Sequence, residues 1–300
     1  MIDLEADNDR LRYTSFSIIN HYQKKVDEPI GGFYFNKIIF LVYQKLRKDY
    51  GININLPHYW YRYGDQVYRS KMPHELHWNH ESQYKTKIEW NGTQLLRDDS
   101  DEFKLIDKTV KEMLDRYMND YRGIISDVYE CAPYDFQREM LNMRVVASGW
   151  RNAINWDDQS FRVTSKAAIS RIKFHFPEND FRDLKKQYDI FQNAFSIIME
   201  KPDWNIRLVE DLITNFWFLF CYHLRLKSKA RENIPRETVK YWEAKIDFFD
   251  EQYRGNIADF IIEASKKNPK IRKNAFLEHE YIWRLKDIEE SKLLLDEFAY

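Results

Sequence analysis

The stretch from Ile206 to Ala230 limits the fold more tightly than any other part of the chain. Leu208, Leu212, Phe216, Leu219 and His223 recur at helical spacing along one stripe, and Ile213, Trp217, Phe220 and Leu224 form a second stripe beside it. Apolar side chains covering so much of a helix's circumference need neighbours on several sides. A central helix of a bundle is therefore expected, with Phe191 and Phe195 before it and Trp242, Phe248 and Phe249 after it as packing partners. Its most apolar window, Ile213 to Tyr222, falls well short of the roughly 20 residues that span a bilayer. Burial in protein is predicted, and no membrane association.

Composition agrees with a helical chain. Among 300 residues there are only 8 Gly and 8 Pro, too few for a turn-rich sandwich or barrel. Aromatic residues reach 16%, enough to fill a large core and leave rings for an interface. The 47 Lys and Arg balance 48 Asp and Glu, so no global field draws the chain to nucleic acid or an anionic membrane. The start MIDLEADNDR lacks the basic and apolar character of a signal peptide. With two distant cysteines, Cys131 and Cys221, it leads us to expect a reducing, cytoplasmic setting.

Along the chain, helices are predicted at Arg10–Val26 and Phe35–Tyr50, the second ending in Lys45, Arg47, Lys48 and a capping Gly51. Ile52, Ile54 and Leu56 then alternate with polar residues, and His58–Tyr68 carries alternating aromatics around Gly64-Asp65, which predicts two short strands and a turn. Tyr84–Trp90 is read as a further strand. Ser100-Asp101 opens one long helix to about Tyr129, and another follows Pro133. Trp150–Phe176 reads as a boundary. Helices are predicted again over Asp180–Met199, Ile206–Ala230, Arg236–Lys267 with a break near Gly255, and Ile271–Phe298. The expected fold is mainly α, with a winged-helix-like module and its small hairpin at 1–95, a helical middle region and linker at 96–176, and a helical bundle at 177–300.

Motifs that carry chemistry are scarce. His74, His77 and His80 are the most metal-like cluster, but no HExxH pairing accompanies them, and a polar surface connection beside the hairpin is the expected reading. There is no GxxxxGK(S/T), no GxGxxG and no GxSxG elbow. Arg171 with His175, Arg272 with His279, and Glu243 with Lys245 are spacings that chance supplies in a chain 32% charged. We therefore expect no catalytic residues, no metal site and no cofactor. Lys266, Lys267, Lys270, Arg272 and Lys273 form a basic run that is a candidate nucleic-acid contact, though it lacks interleaved aromatics.

The helix start Phe35-Asn36-Lys37-Ile38-Ile39-Phe40 and the run Leu56-Pro57-His58-Tyr59-Trp60-Tyr61-Arg62-Tyr63-Gly64-Asp65-Gln66-Val67 carry a resemblance. They resemble small helix-plus-wing domains of prokaryotic proteins and, more distantly, SocA-like (Panacea) antitoxin domains, where Gly-Pro usually stands in place of Gly64-Asp65. The layout is also similar to the small non-ATPase subunit of a Lamassu-type antiphage defence complex. That resemblance implies a non-enzymatic adaptor between protein subunits, an SMC-like ATPase and an effector nuclease. Tyr59, Trp60, Tyr61 and Tyr63 are then the expected partner-binding residues. An antitoxin or DNA-binding regulator, and a nuclease-type effector, are the alternatives.

Overall fold

The computed structural model describes residues 4–61, 64–82, 85–93, 95, 100–150, 159–200, 206–227 and 235–267. Its elements form two compact units, the first reaching Pro133 and the second beginning at Tyr134. The chain is mainly α-helical with a small antiparallel β component near its start.

In the first unit, α1 (Leu4–Val26) and α2 (Gly32–Tyr50) flank a two-residue strand, β1 (Ile30–Gly31). The apolar face of α2 explains its helix: Ile38, Ile39, Phe40, Val42 and Leu46 are all buried. Gly51 ends it at φ +69°, its N–H bonding the Leu46 carbonyl, a conformation glycine adopts without steric cost. β2 (His58–Tyr61) and β3 (Gly64–Val67) form the expected hairpin, with His58 opposite Val67 and Trp60 opposite Asp65. Residues 52–56 belong to no strand.

A second sheet was only half expected. β4 (Leu76–Ser82) and β5 (Lys85–Trp90) pair antiparallel, and β5 also pairs with β1, giving the order β1-β5-β4. Ile30 and Ile88 lie opposite each other in its buried centre. Alternation within β4 places Leu76, Trp78 and His80 on one face and His77 and Asn79 on the other, a mixed pattern that a reading by composition takes for a loop.

Helices α3 (Asp101–Tyr117) and α4 (Tyr121–Glu130) replace the single long helix expected there. The break is local chemistry: the Asp120 carboxylate accepts the Gly123 N–H at 2.7 Å and caps α4. α3 packs on α1 and α2, and α4 on α2 and β3. Polar clasps hold α1 to α3, with Arg10–Glu102 at 2.8 Å and both Ser17 and His21 on Asp107 at 2.9 Å. The middle region expected at 96–176 is thus divided, since these two helices belong to the N-terminal unit.

The second unit contains α5 (Asp135–Trp150), α6 (Gln159–His175), α7 (Lys185–Glu200), α8 (Ile206–Lys227) and α9 (Arg236–Lys267). α6 occupies the stretch read as a boundary, and α9 runs on through Gly255 without the expected break. α8 is the core helix: Leu212, Ile213, Phe216, Trp217, Leu219 and Phe220 are buried to within 1%. Phe191 of α7 stacks on Phe216 at 4.6 Å, and Phe249 of α9 lies 5.2 Å from Phe218 and from Tyr222. One expected partner differs: Phe248 is 45% exposed, whereas Phe195 is fully buried and lies against Phe191. Phe136, Phe181, Tyr188 and Tyr253 complete the ring cluster around Phe216 and Phe220. No helix among the described residues is long and apolar enough to cross a membrane.

Candidate functional site

The β2–β3 hairpin is seated on α2 and α4 by its inward face. His58, Trp60, Asp65 and Val67 share that face, as pairing and alternation require. The Trp60 ring lies edge-on to Phe40 of α2 and to Tyr129 of α4, each 5.8 Å away, and is 7% exposed. His58 sits between the rings of Phe40 and Tyr43 at 5.4 and 5.2 Å. Asn36 of α2 receives the Val67 N–H at 3.1 Å, and the Tyr68 N–H donates to the Pro57 carbonyl at 2.6 Å, closing the base of the hairpin.

Beneath the hairpin lies a buried charge cluster that sequence reasoning missed. His58 Nδ1 is 2.5 Å from Asp65 Oδ2, and Lys37 Nζ donates to the Asp65 backbone carbonyl at 2.5 Å. Lys37 also lies 5.1 Å from the centre of the Phe33 ring. Asp65 is fully buried, and its other carboxylate oxygen has no hydrogen-bond partner. Burial pushes the Asp65 carboxyl up, and the charges of His58 and Lys37 offset only part of this. Burial alone would lower His58, but the Asp65 charge and hydrogen bond outweigh it and hold the imidazole above its ordinary range. Lys37 is lowered to about 8 by burial, against the opposing pull of Asp65. These three groups secure the hairpin to α2 and lie behind its buried face.

Gly64 completes the fit. Its φ of +86° favours glycine, and a Cβ there would come within 3.0 Å of Val128 and 3.4 Å of Lys37 Nζ. Gly64→Ala is expected to destabilise the N-terminal unit by about 1–3 kcal/mol, read from chemical denaturation. An unchanged midpoint would show that α4 yields easily to the extra methyl.

The outward face carries Tyr59, Tyr61 and Gln66, all half-buried, with the Tyr59 hydroxyl donating to Gln66 Oε1 at 3.3 Å. This revises the expected docking set. Trp60 is spent on the core because Phe40 and Tyr129 claim its face, whereas Tyr59 and Tyr61 stay on the solvent side. Tyr63 lies outside the described residues. No protein-family model, curated protein or solved structure matches this chain.

The remaining candidates are scattered. His74 precedes β4 beside Glu75, His77 lies opposite Glu89, and His80 bonds Thr86 and Arg69 at 3.0 Å each. Among the described residues no three His, Cys, Asp or Glu are arranged to hold a metal ion. Arg171 pairs with Glu139 at 2.8 Å and His175 with Asp135 at 3.6 Å, so both clasp α6 to α5. Of the basic run, Lys266 is exposed on α9, and Lys267 is its last residue. Lys270, Arg272 and Lys273 lie outside the described residues, as do Arg272's companion His279 and the predicted helix Ile271–Phe298.

Proposed function

We propose that this chain is a non-enzymatic adaptor subunit of a prokaryotic antiphage defence complex, joining an SMC-like ATPase to an effector, with the β2–β3 hairpin as one docking edge. The observation that supports this most is the division of labour across the hairpin. One face is anchored by Trp60, Asp65 and His58, while Tyr59 and Tyr61 lie on the other. Tyrosines on a backbone already fixed lose little entropy on binding, and such rings dominate the energetics of interfaces. The resemblance of residues 35–68 to helix-plus-wing domains supplies the setting.

The Tyr59→Ala/Tyr61→Ala double variant, co-expressed with the products of neighbouring genes, should co-purify with its partner at least tenfold less well. Its circular dichroism and Tm should stay near those of the parent, because Trp60 and the charge cluster are untouched. Full retention of the partner would overturn the docking role of the hairpin. Magnesium- or zinc-dependent hydrolysis of DNA, RNA or nucleotides, abolished by His77→Ala, Glu243→Ala or His279→Ala, would favour the effector reading. Sequence-specific DNA binding at physiological salt, without a protein partner, would favour the regulator.

A further inference from the structure

β4 stands at the rim of its sheet. Among the described residues only β5 pairs with it, so its other edge has no strand beside it. The register fixes which backbone groups that edge presents. Leu76 lies opposite Trp90, and the Asn91 N–H donates to the Glu75 carbonyl at 2.8 Å. A bond between the residues just outside a facing pair marks Leu76 and Trp90 as a non-hydrogen-bonded pair. Pairs alternate along an antiparallel ladder, so His77 with Glu89 and Asn79 with Lys87 carry the bonds to β5. The N–H and C=O groups of Trp78 and His80 therefore point away from β5. Among the described residues none of these four groups has a hydrogen-bond partner. The open span is bounded at both ends. The Leu76 N–H is taken by the Pro73 carbonyl at 3.1 Å, and the ladder shifts register between His80 and Ser82.

The side chains along this edge are basic. Arg69 lies over the Trp78 ring at 4.6 Å, and its guanidinium meets His80 Nε2 at 3.0 Å. Arg69 and Lys71 are both exposed. The neighbouring acids are engaged: Glu75 is buried against Arg12, and Glu89 accepts the Asn79 amide at 2.9 Å. Glu81 stands in the bulge, outside the open span. Two copies joined through β4 would set one Arg69 against the other, so self-pairing is disfavoured. We propose that β4 accepts an extended acidic segment of a partner protein as a fourth, antiparallel strand, with Asp or Glu opposite Trp78 and His80. Main-chain bonds to the open groups hold such a segment. Residues opposite Trp78 and His80 share their face of the sheet, which brings the partner's carboxylates to Arg69. Tyr59 and Tyr61 take no part in this contact, which stands or falls apart from the docking role of the hairpin.

The test uses the full chain and the acetylated, amidated peptide TVEVEVT, with TVKVKVT as its charge-reversed counterpart. Followed by NMR at millimolar peptide, the acidic peptide should slow amide exchange at Trp78 and His80 at least tenfold. His77 and Asn79, already bonded to β5, should not change, and the lysine peptide should protect neither edge amide. His80→Pro removes an outward N–H without cutting the ladder to β5. Its Tm should stay near that of the parent while protection at Trp78 is lost. Arg69→Glu should reverse the preference, so that only the lysine peptide protects, and it decides the matter if His80→Pro fails to fold. Equal protection by both peptides, protection by neither, or protection that survives His80→Pro would overturn the proposal. Protection without peptide that rises with chain concentration would assign the edge to a second copy and overturn it as well.

Discussion

Trp217→Ala should destabilise the C-terminal unit by about 3–5 kcal/mol, a large share of a domain stability of about 5–15 kcal/mol. The ring is fully buried and stacks on Phe220 at 5.8 Å, which in turn meets Phe136 and Phe181 at 4.7 and 4.5 Å. Removing it leaves a cavity in a region whose neighbours are themselves large rings held in place by further rings. Such a site collapses poorly, so the loss includes packing as well as transfer from water. Urea denaturation followed by fluorescence checks the size, and Phe248→Ala on the exposed side of α9 is the control, expected to cost under about 1 kcal/mol. Equal midpoints for the two variants would mean that α8 is not the centre of the unit. If Trp217→Ala proves insoluble, Trp217→Phe should still show a clear loss.

Lys37 makes the stability of the N-terminal unit depend on alkaline pH. Burial lowers its ammonium to about 8, whereas an unfolded chain holds its proton to about 10.4. Below pH 8 both states carry the proton, and the full cost of burying the charge is present. Between pH 8 and about 10.4 the unfolded chain keeps a proton that the folded chain has released, so folding becomes more favourable as pH rises. The His58 contribution runs the other way and starts earlier: present below about 6.5, it is lost as pH rises through the raised value of the folded state. The difference in unfolding free energy between the parent and Lys37→Met should therefore shift by about 2 kcal/mol toward the parent from pH 7.5 to 9.5. Half-buried tyrosines such as Tyr34, raised to about 12, titrate later and cancel in the difference. A flat difference would show that water reaches Lys37.

The hairpin shows how much of a site a sequence can disclose. Alternation assigned Tyr59 and Tyr61 to one face and Trp60 to the other, and pairing of β2 with β3 follows that register. Which face looks inward is a separate question, because a strand's period is the same from either side. Phe40 and Tyr129 decided it, residues 20 and 69 positions away from Trp60. Lys37 hid for a similar reason. It follows Asn36 just before the apolar run Ile38–Phe40, where a solvent-facing lysine would also stand, and the Asp65 carbonyl arriving from β3 gives its ammonium a buried partner.

Features that rest on neighbours a few residues apart are legible in the linear chain. The periodicity of α2 and α8, the glycine cap at Gly51, the hairpin at 58–67 and the mainly α class all follow from spacing within one segment. Tertiary structure alone decided what depends on distant partners. β4 became a strand because β5 offers a matching edge, and α3 and α4 joined the first unit because α2 covers their apolar faces. The inward turn of Trp60 and the burial of Lys37 with Asp65 and His58 were settled in the same way. Whether a side chain is buried is a property of what packs against it, and a linear pattern specifies only its own half of that contact.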